Sequence, residues 1–316
     1  MLSRSILLAV VTTLWASHGV CAVFEKDMVM IPAGEFTMGS DGQDPSKKSQ
    51  EFGSIKPWFL DEHPQRKVSL PAYWLDRYEV TNLAFKQFVI AKNYADAVVP
   101  SGWQQNGYAI SREALERASV EVLRQLATSV FRIDEDTRSM EKPALLAAIA
   151  TQQTSQDNLP VAQVTWSQAQ SYCAWLGKRL PKEVEWEKAA RGKQGSEYPW
   201  GKEWDPKRLN SGESKNWELG VAPVGSYENG KSPFGIYDMA GNVMEWVEDW
   251  YQAYPGGDYQ SPAFGSQYKV VRGGGWGGIG HYAISHFYRG AYRFYLDPQS
   301  TFVDLGFRCA KDSSFR

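Results

Sequence analysis

Apolar and polar residues alternate twice within residues 28–39, on either side of a Pro32-Ala33-Gly34 turn, which predicts two short strands. Residues 68–78 alternate again and predict one further strand, while the polar stretch 40–65 between them reads as a surface loop. Thr81 then offers a helix N-cap. Leu83, Phe85, Phe88 and Val89 follow at helical spacing, with Asn93 as the stop.

Residues 95–158 differ in character and read as a helical insertion. Ser111 caps a predicted helix on which Leu115, Ala118, Val122, Leu126 and Val130 form one stripe, with Glu113 and Arg117 paired on the other face. A second helix is predicted around residues 144–152, and about 60 residues are marginal for folding alone. Beyond it, Ser167 caps a helix that carries Cys173 and ends at Gly177. Pro181 opens another over 182–190, closed by Gly192. From Tyr198 onward Gly, Pro and Trp are dense, so short strands and long loops are expected.

The first residues change the setting. Arg4 precedes an apolar run from Ile6 to Ala16, too short to cross a bilayer of roughly 30 Å as a helix. Val20-Cys21-Ala22 fits a small-residue cleavage site, so residues 1–22 read as a signal peptide and the mature chain as secreted or periplasmic, with no membrane span. Charge is nearly balanced, 34 Lys+Arg against 36 Asp+Glu, which argues against a nucleic-acid partner. With Cys21 removed, Cys173 and Cys309 remain. In an oxidising compartment they suggest one disulfide, the alternative being two buried thiols.

The chain has little raw material for familiar catalytic motifs. No nucleophile elbow, H-E-x-x-H or C-x-x-C occurs, and there are only four His. Gly275-Trp-Gly-Gly-Ile-Gly280 matches the dinucleotide fingerprint in letters alone, since no strand–turn–helix context surrounds it. His281 and His286 are close enough to share a cleft, or are two loop histidines. Asp238 and Glu245 flank an Ala-Gly-Asn turn that can gather carboxylates and backbone carbonyls, an oxygen set that suits Ca²⁺; a solvated acidic loop is the equal alternative.

At this point the chain resembles the formylglycine-generating enzyme (sulfatase-modifying factor) family. The resemblance rests on Met30-Ile-Pro-Ala-Gly-Glu-Phe-Thr-Met-Gly39, Tyr78-Glu-Val-Thr-Asn82, Pro160-Val-Ala-Gln-Val-Thr-Trp166 and Tyr172-Cys-Ala-Trp-Leu-Gly-Lys-Arg-Leu-Pro181. It continues through Glu183-Val-Glu-Trp-Glu187, Tyr198-Pro-Trp-Gly201, Gly241-Asn-Val-Met-Glu-Trp246, Val271-Arg-Gly-Gly274 and Gly306-Phe-Arg-Cys309, in family order. It implies one α+β domain over 27–312, a loop-rich variant of the C-type-lectin-like fold, interrupted by the helical insertion 95–158.

The resemblance also implies structural calcium at the side chains of Asp238 and Glu245 and the backbone oxygens of Gly241 and Val243. A second calcium loop falls near Asn210 and Asn216, and the family disulfide maps onto Cys173 and Cys309. Copper-dependent members carry two cysteines soon after the Arg-Gly-Gly strand, where soft thiolates hold Cu(I). The corresponding positions here fall near Gly278 and Ala283, and Gly275 replaces the usual serine, so copper is not expected. The resulting expectation is an exported, monomeric accessory or maturation factor for a protein or peptide, with a groove lined by Trp276, Tyr282, Arg272 and Arg289. One alternative is an oxidoreductase of altered chemistry, with His281, His286, Tyr282 and Tyr288 as the candidate ligands or proton carriers and iron as the candidate metal. Another is a calcium-dependent binding module, an analogy at the level of fold.

Overall fold

The computed structural model describes residues 27–54, 56–93, 99–212, 220–277 and 284–313. The first two strands, β1 (Met28–Ile31) and β2 (Gly34–Met38), form as the sequence predicts. They enter different sheets because the Pro32-Ala33 corner turns the chain between them. The single strand expected over 68–78 is two, β3 (Arg66–Leu70) and β4 (Tyr73–Asp76), broken at Pro71, whose missing N–H cannot continue a ladder. β3 pairs β2, whereas β4 lies between β1 and β9 (Ala310–Asp312).

The stretch expected to be a polar surface loop is partly interior. It holds a short helix α1 (Lys48–Glu51), and Lys56, Trp58, Asp61 and Glu62 are buried. Burial of Lys56 and Asp61 is tolerated because they pair at 2.6 Å, each removing the other's unpaired charge.

Helix α2 (Asn82–Ala91) starts where Thr81 accepts a hydrogen bond from the Ala84 amide, and it buries Phe85, Phe88 and Val89. Residues 95–158 contribute α3 (Ser101–Gln105), α4 (Arg112–Arg117), α5 (Val120–Ser129) and α6 (Lys142–Thr154). The one long helix predicted after Ser111 is two. Ala118 is extended and Ser119 caps α5 by accepting from Val122 N–H, a local alternative that outcompetes continuation. The stripe shifts accordingly: Leu115, Leu123 and Ala127 are buried, and Val122 is exposed. The ion pair on α4 joins Arg112 to Glu116 at 2.7 Å, not Glu113 to Arg117. These helices close a small core of their own around Leu123, Phe131, Leu145 and Ile149.

Helix α7 (Trp166–Trp175) begins earlier than expected. Thr165, not Ser167, is the N-cap, in a reciprocal capping box with Gln168. Helix α8 (Glu183–Arg191) ends at Gly192 as predicted, with Lys182 at its N-cap and Pro181 just outside. The remaining sheet is four-stranded in the order β7 (Phe294–Leu296), β6 (Lys269–Arg272), β5 (Met244–Trp250), β8 (Leu305–Phe307), with β5 and β8 parallel. A disulfide joins Cys173 on α7 to Cys309 between β8 and β9. α2, α7, β5, β6 and β8 share one core that includes Phe85, Tyr172 and Trp246; α8, β1, β4 and β5 share a second.

Candidate functional site

The turn before β5 is the meeting point of three predicted features. Asp238, Gly241 and Asn242 take φ of 56°, 79° and 64°, left-handed positions that curl the backbone back on itself. Gly241 is required there, because a side chain would meet the Asn210 carbonyl at 2.5 Å. Asn242 N–H donates to the Asn210 carbonyl, Gly241 N–H to Gly273, and Trp276 N–H to the Asn242 carbonyl. Asn210, the 238–245 turn and Trp276 therefore form one assembly. The Asn210 side chain donates to the Gly220 carbonyl and to Asn242 Oδ1.

The turn encloses buried carboxylates. Glu245, on the central strand β5, accepts from Arg308 at 2.6 and 2.8 Å and from the Trp186 indole N–H at 2.8 Å. Glu79 accepts from Asn242 Nδ2 and Val243 N–H. Asp238 accepts from Gly225 N–H at 2.7 Å. Burial, with the charge of Glu245 adding, pushes the Asp238 carboxyl up to about 6. Burial first, then the charges of Asp238 and Glu245, raises Glu79 well above the usual range. Arg308 is the guanidinium that opposes all three.

This donor set fits a hard cation. The Asp238 carboxylate is buried with excess negative charge around it, and the Gly241 and Val243 carbonyls accept no turn or loop hydrogen bond among the described residues. Glu245 joins such a site only by sharing oxygens that Arg308 and Trp186 already use. Among the described residues, no three His, Cys, Asp or Glu side chains are grouped to hold a metal by themselves, so backbone oxygens are needed.

Trp276 packs with Leu159, Val221 and Val243 over the turn, and its buried indole N–H has no partner among the described residues. Two residues expected beside it in a groove are elsewhere and occupied. Arg272 is buried on β6 and pairs with Glu183 and Glu187 at 3.0 and 2.7 Å. Arg289 is buried against Glu62 at 2.8 Å and also pairs with Glu197. Both guanidiniums are structural, since removing their carboxylates would strand a buried charge. They belong to a larger network in which Arg293 also grips Glu183.

His286 lies apart from the turn. It stacks on Trp58 with ring centroids 4.0 Å apart and meets Phe59 edge-on. Burial, then the Arg289 and Lys56 charges, pushes its imidazole down to about 2, so it is neutral at physiological pH. Its Nε2 has no partner among the described residues. Tyr288 donates to the Gly275 carbonyl at 3.0 Å. His281, Tyr282, Gly278, Ala283, Asn216 and the proposed signal segment lie outside the described residues.

Glu79, Arg308, Asn242 and Trp186 belong to the site although none is a candidate residue on sequence. A signal was present: Glu79 sits between Tyr78 and Val80, and Arg308 between Phe307 and Cys309, charges inside apolar frames. A cavity of about 280 Å³ borders Glu79 and is lined also by Asp76, Tyr172 and Lys178.

A family profile described as a sulfatase-modifying factor enzyme 1-like domain matches residues 20–313, and the chain belongs to that family. It is 30% identical to the inactive C-alpha-formylglycine-generating enzyme 2 of Bos taurus over 90% of this chain and 87% of that protein. It is 33% identical to the formylglycine-generating enzyme of Thermomonospora curvata, over 91% of this chain and 94% of that one. The solved structure of PvdO from Pseudomonas aeruginosa superposes with a TM-score of 0.58 at 25% identity, covering 90% of this chain and 94% of PvdO. The loop-rich α+β architecture is thus that of the family.

Proposed function

We propose that this chain is an exported accessory or maturation factor that binds a peptide or protein partner and works without a copper–thiolate centre. The observation that carries this reading is the cysteine inventory. No Cys lies between Cys173 and Cys309, and those two are joined to each other. Copper chemistry of the family type needs a pair of soft thiolates, and none is free to supply it. That a relative at 30% identity is named as inactive supports the same reading. Export agrees with a disulfide, which persists in oxidising compartments, and no helix among the described residues is long and apolar enough to cross a membrane.

The partner surface on this reading centres on Trp276, half-buried with an indole N–H unpaired among the described residues. Incubation with copper, a thiol reductant and a Cys-containing sulfatase peptide should leave the peptide mass unchanged. Conversion of its Cys to formylglycine would overturn the proposal. Affinity capture from the exported fraction should recover a partner whose binding Trp276→Ala weakens by about 2 kcal/mol, as for an aromatic anchor. Equal capture by the variant would remove Trp276 from the surface.

Calcium in this reading is structural and sits at Asp238, Gly241, Val243 and Glu245. Its chemistry would be charge neutralisation of the buried carboxylates. A ligand bound only by the folded state adds roughly 2.7 kcal/mol at a hundredfold excess over Kd. Chelation should lower the melting temperature of the wild type and leave Asp238→Asn nearly unchanged. Identical wild-type curves with and without chelator would sink the calcium site.

A further inference from the structure

Gly102, Trp103, Asn106 and Gln156 make one wall of a pocket whose other wall is Asn82, residues 159–163 and Val221. The pocket, about 160 Å³, lies where α2, α3 and Gln156 meet residues 159–163. Its polar lining consists of primary amides: Asn82, Asn106, Gln156 and Gln163. No Asp, Glu, Lys or Arg lines it among the described residues. Its apolar lining includes Leu159, Ala162 and Val221, the same residues that pack against Trp276. The pocket therefore shares three of its lining residues with the cluster that holds Trp276.

Three of these residues are tied together through Gln156. Asn82 accepts from the Trp103 indole at 3.0 Å and donates to the Gln156 backbone carbonyl at 3.0 Å. Asn106 donates to Gln156 Oε1 at 2.8 Å and accepts from Tyr108 N–H. This network joins α2 to Asn106 and Gln156 and fixes the wall. Gln163 is different. Its side-chain oxygen receives one long contact from Ser101, at 3.4 Å, and its NH₂ has no acceptor among the described residues. Its backbone has φ of 59°, a conformation that costs a non-glycine residue on the order of 1 kcal/mol and persists where something requires it. Gly102 makes room for it, since a Cβ there would lie 2.4 Å from Gln163 Nε2.

We propose that this pocket is a carboxamide subsite: it takes one uncharged residue of the partner peptide, an Asn or Gln side chain, paired to the Gln163 amide. A primary amide both donates and accepts, so Gln163 can form two hydrogen bonds with another amide, while the wall supplies no countercharge to an ionised group. The cavity holds about one mid-sized residue. Burying a carboxylate or ammonium there would leave the charge without a partner. The proposal rests on the accessory reading only for the ligand being a peptide.

The test uses the whole mature protein and three soluble probes, N-acetyl-glutamine methylamide, its glutamate counterpart and glucose, each titrated by saturation-transfer NMR. The glutamine probe should bind in the millimolar range suited to so small a ligand, and about tenfold tighter than the glutamate probe. Gln163→Gly keeps the backbone conformation and removes the amide, so binding should fall about tenfold while the melting temperature holds or rises. Gly102→Ala should weaken the probe in the same direction by displacing the Gln163 side chain. Equal binding of the glutamate probe, preference for glucose, full binding by Gln163→Gly, or no glutamine binding would each overturn the subsite. If Trp276→Ala loses the captured partner while Gln163→Gly retains it unweakened, the subsite falls and the accessory reading stands. If the glutamine probe binds and no partner is captured, the subsite stands and the accessory reading falls.

Discussion

Glu245 shows how much a single side chain's meaning depends on residues far away in sequence. The turn marked it as a cation ligand, yet its nearest countercharge is Arg308, 63 positions later and fully buried. Glu245→Gln should cost about 3–5 kcal/mol, because it leaves a guanidinium buried without its carboxylate. The double variant Glu245→Gln, Arg308→Met should lose less than the sum of the two single changes, read from urea midpoints at constant slope. Additive losses would show that the pair does not interact in solution. Asp249 gives a second residue-scale test. Burial, aided by the Glu183 charge, lifts its carboxyl from 3.8 up to about 6. Between those values the folded state holds a proton that the unfolded state has released. The stabilisation is therefore complete below about pH 4 and is lost as pH rises to about 6, about 3 kcal/mol in all. Asp249→Asn should flatten that slope in a pH series of unfolding midpoints, and an unchanged slope would mean the carboxyl titrates normally.

At the scale of elements, what was legible is what local chemistry decides. Thr81 and Ser111 cap helices where the sequence places them, because an N-cap needs only a side-chain oxygen and the amide three residues on. The break at Ala118 was not legible: apolar spacing runs through it, and Ser119 reads equally as an interior residue or a cap. Ser119→Ala tests which matters. Removing the bond to Val122 N–H should cost about 1 kcal/mol and speed amide exchange across α5, with α7 and β5 unaffected. Exchange unchanged in α5 would mean that packing against Leu145 and Ile149 alone sets its limits. The groove arginines failed for a related reason. Arg beside aromatic residues reads as an anchor on sequence, but Arg272 and Arg289 face carboxylates from α8 and from the 56–65 segment, which no local window contains.

For the whole molecule, pairing between distant segments decides the architecture, and the family motifs carried more of it than periodicity did. β4 lies between β1, some 45 positions before it, and β9, more than 230 positions after it, and no alternation in residues 73–76 encodes either neighbour. The Cys173–Cys309 disulfide closes the same long circuit, across a separation of 136 residues. Two neighbouring contacts fasten the same corner: Cys309 N–H donates to Asp76 at 3.0 Å, and Lys178 pairs with Asp76 at 2.7 Å. Cross-linking residues so far apart removes much of the unfolded chain's freedom, about 4–5 kcal/mol in the chain-entropy account. The paired variant Cys173→Ala, Cys309→Ala should therefore lose stability of that order, read from denaturant midpoints and slopes. Because the effect is assigned to the unfolded state, the rate of unfolding should change far less than the rate of refolding. Stopped-flow refolding slowed in the variant, with unfolding nearly unchanged, is the expected pattern. Faster unfolding at an unchanged refolding rate would instead place the stabilisation in native contacts around Asp76.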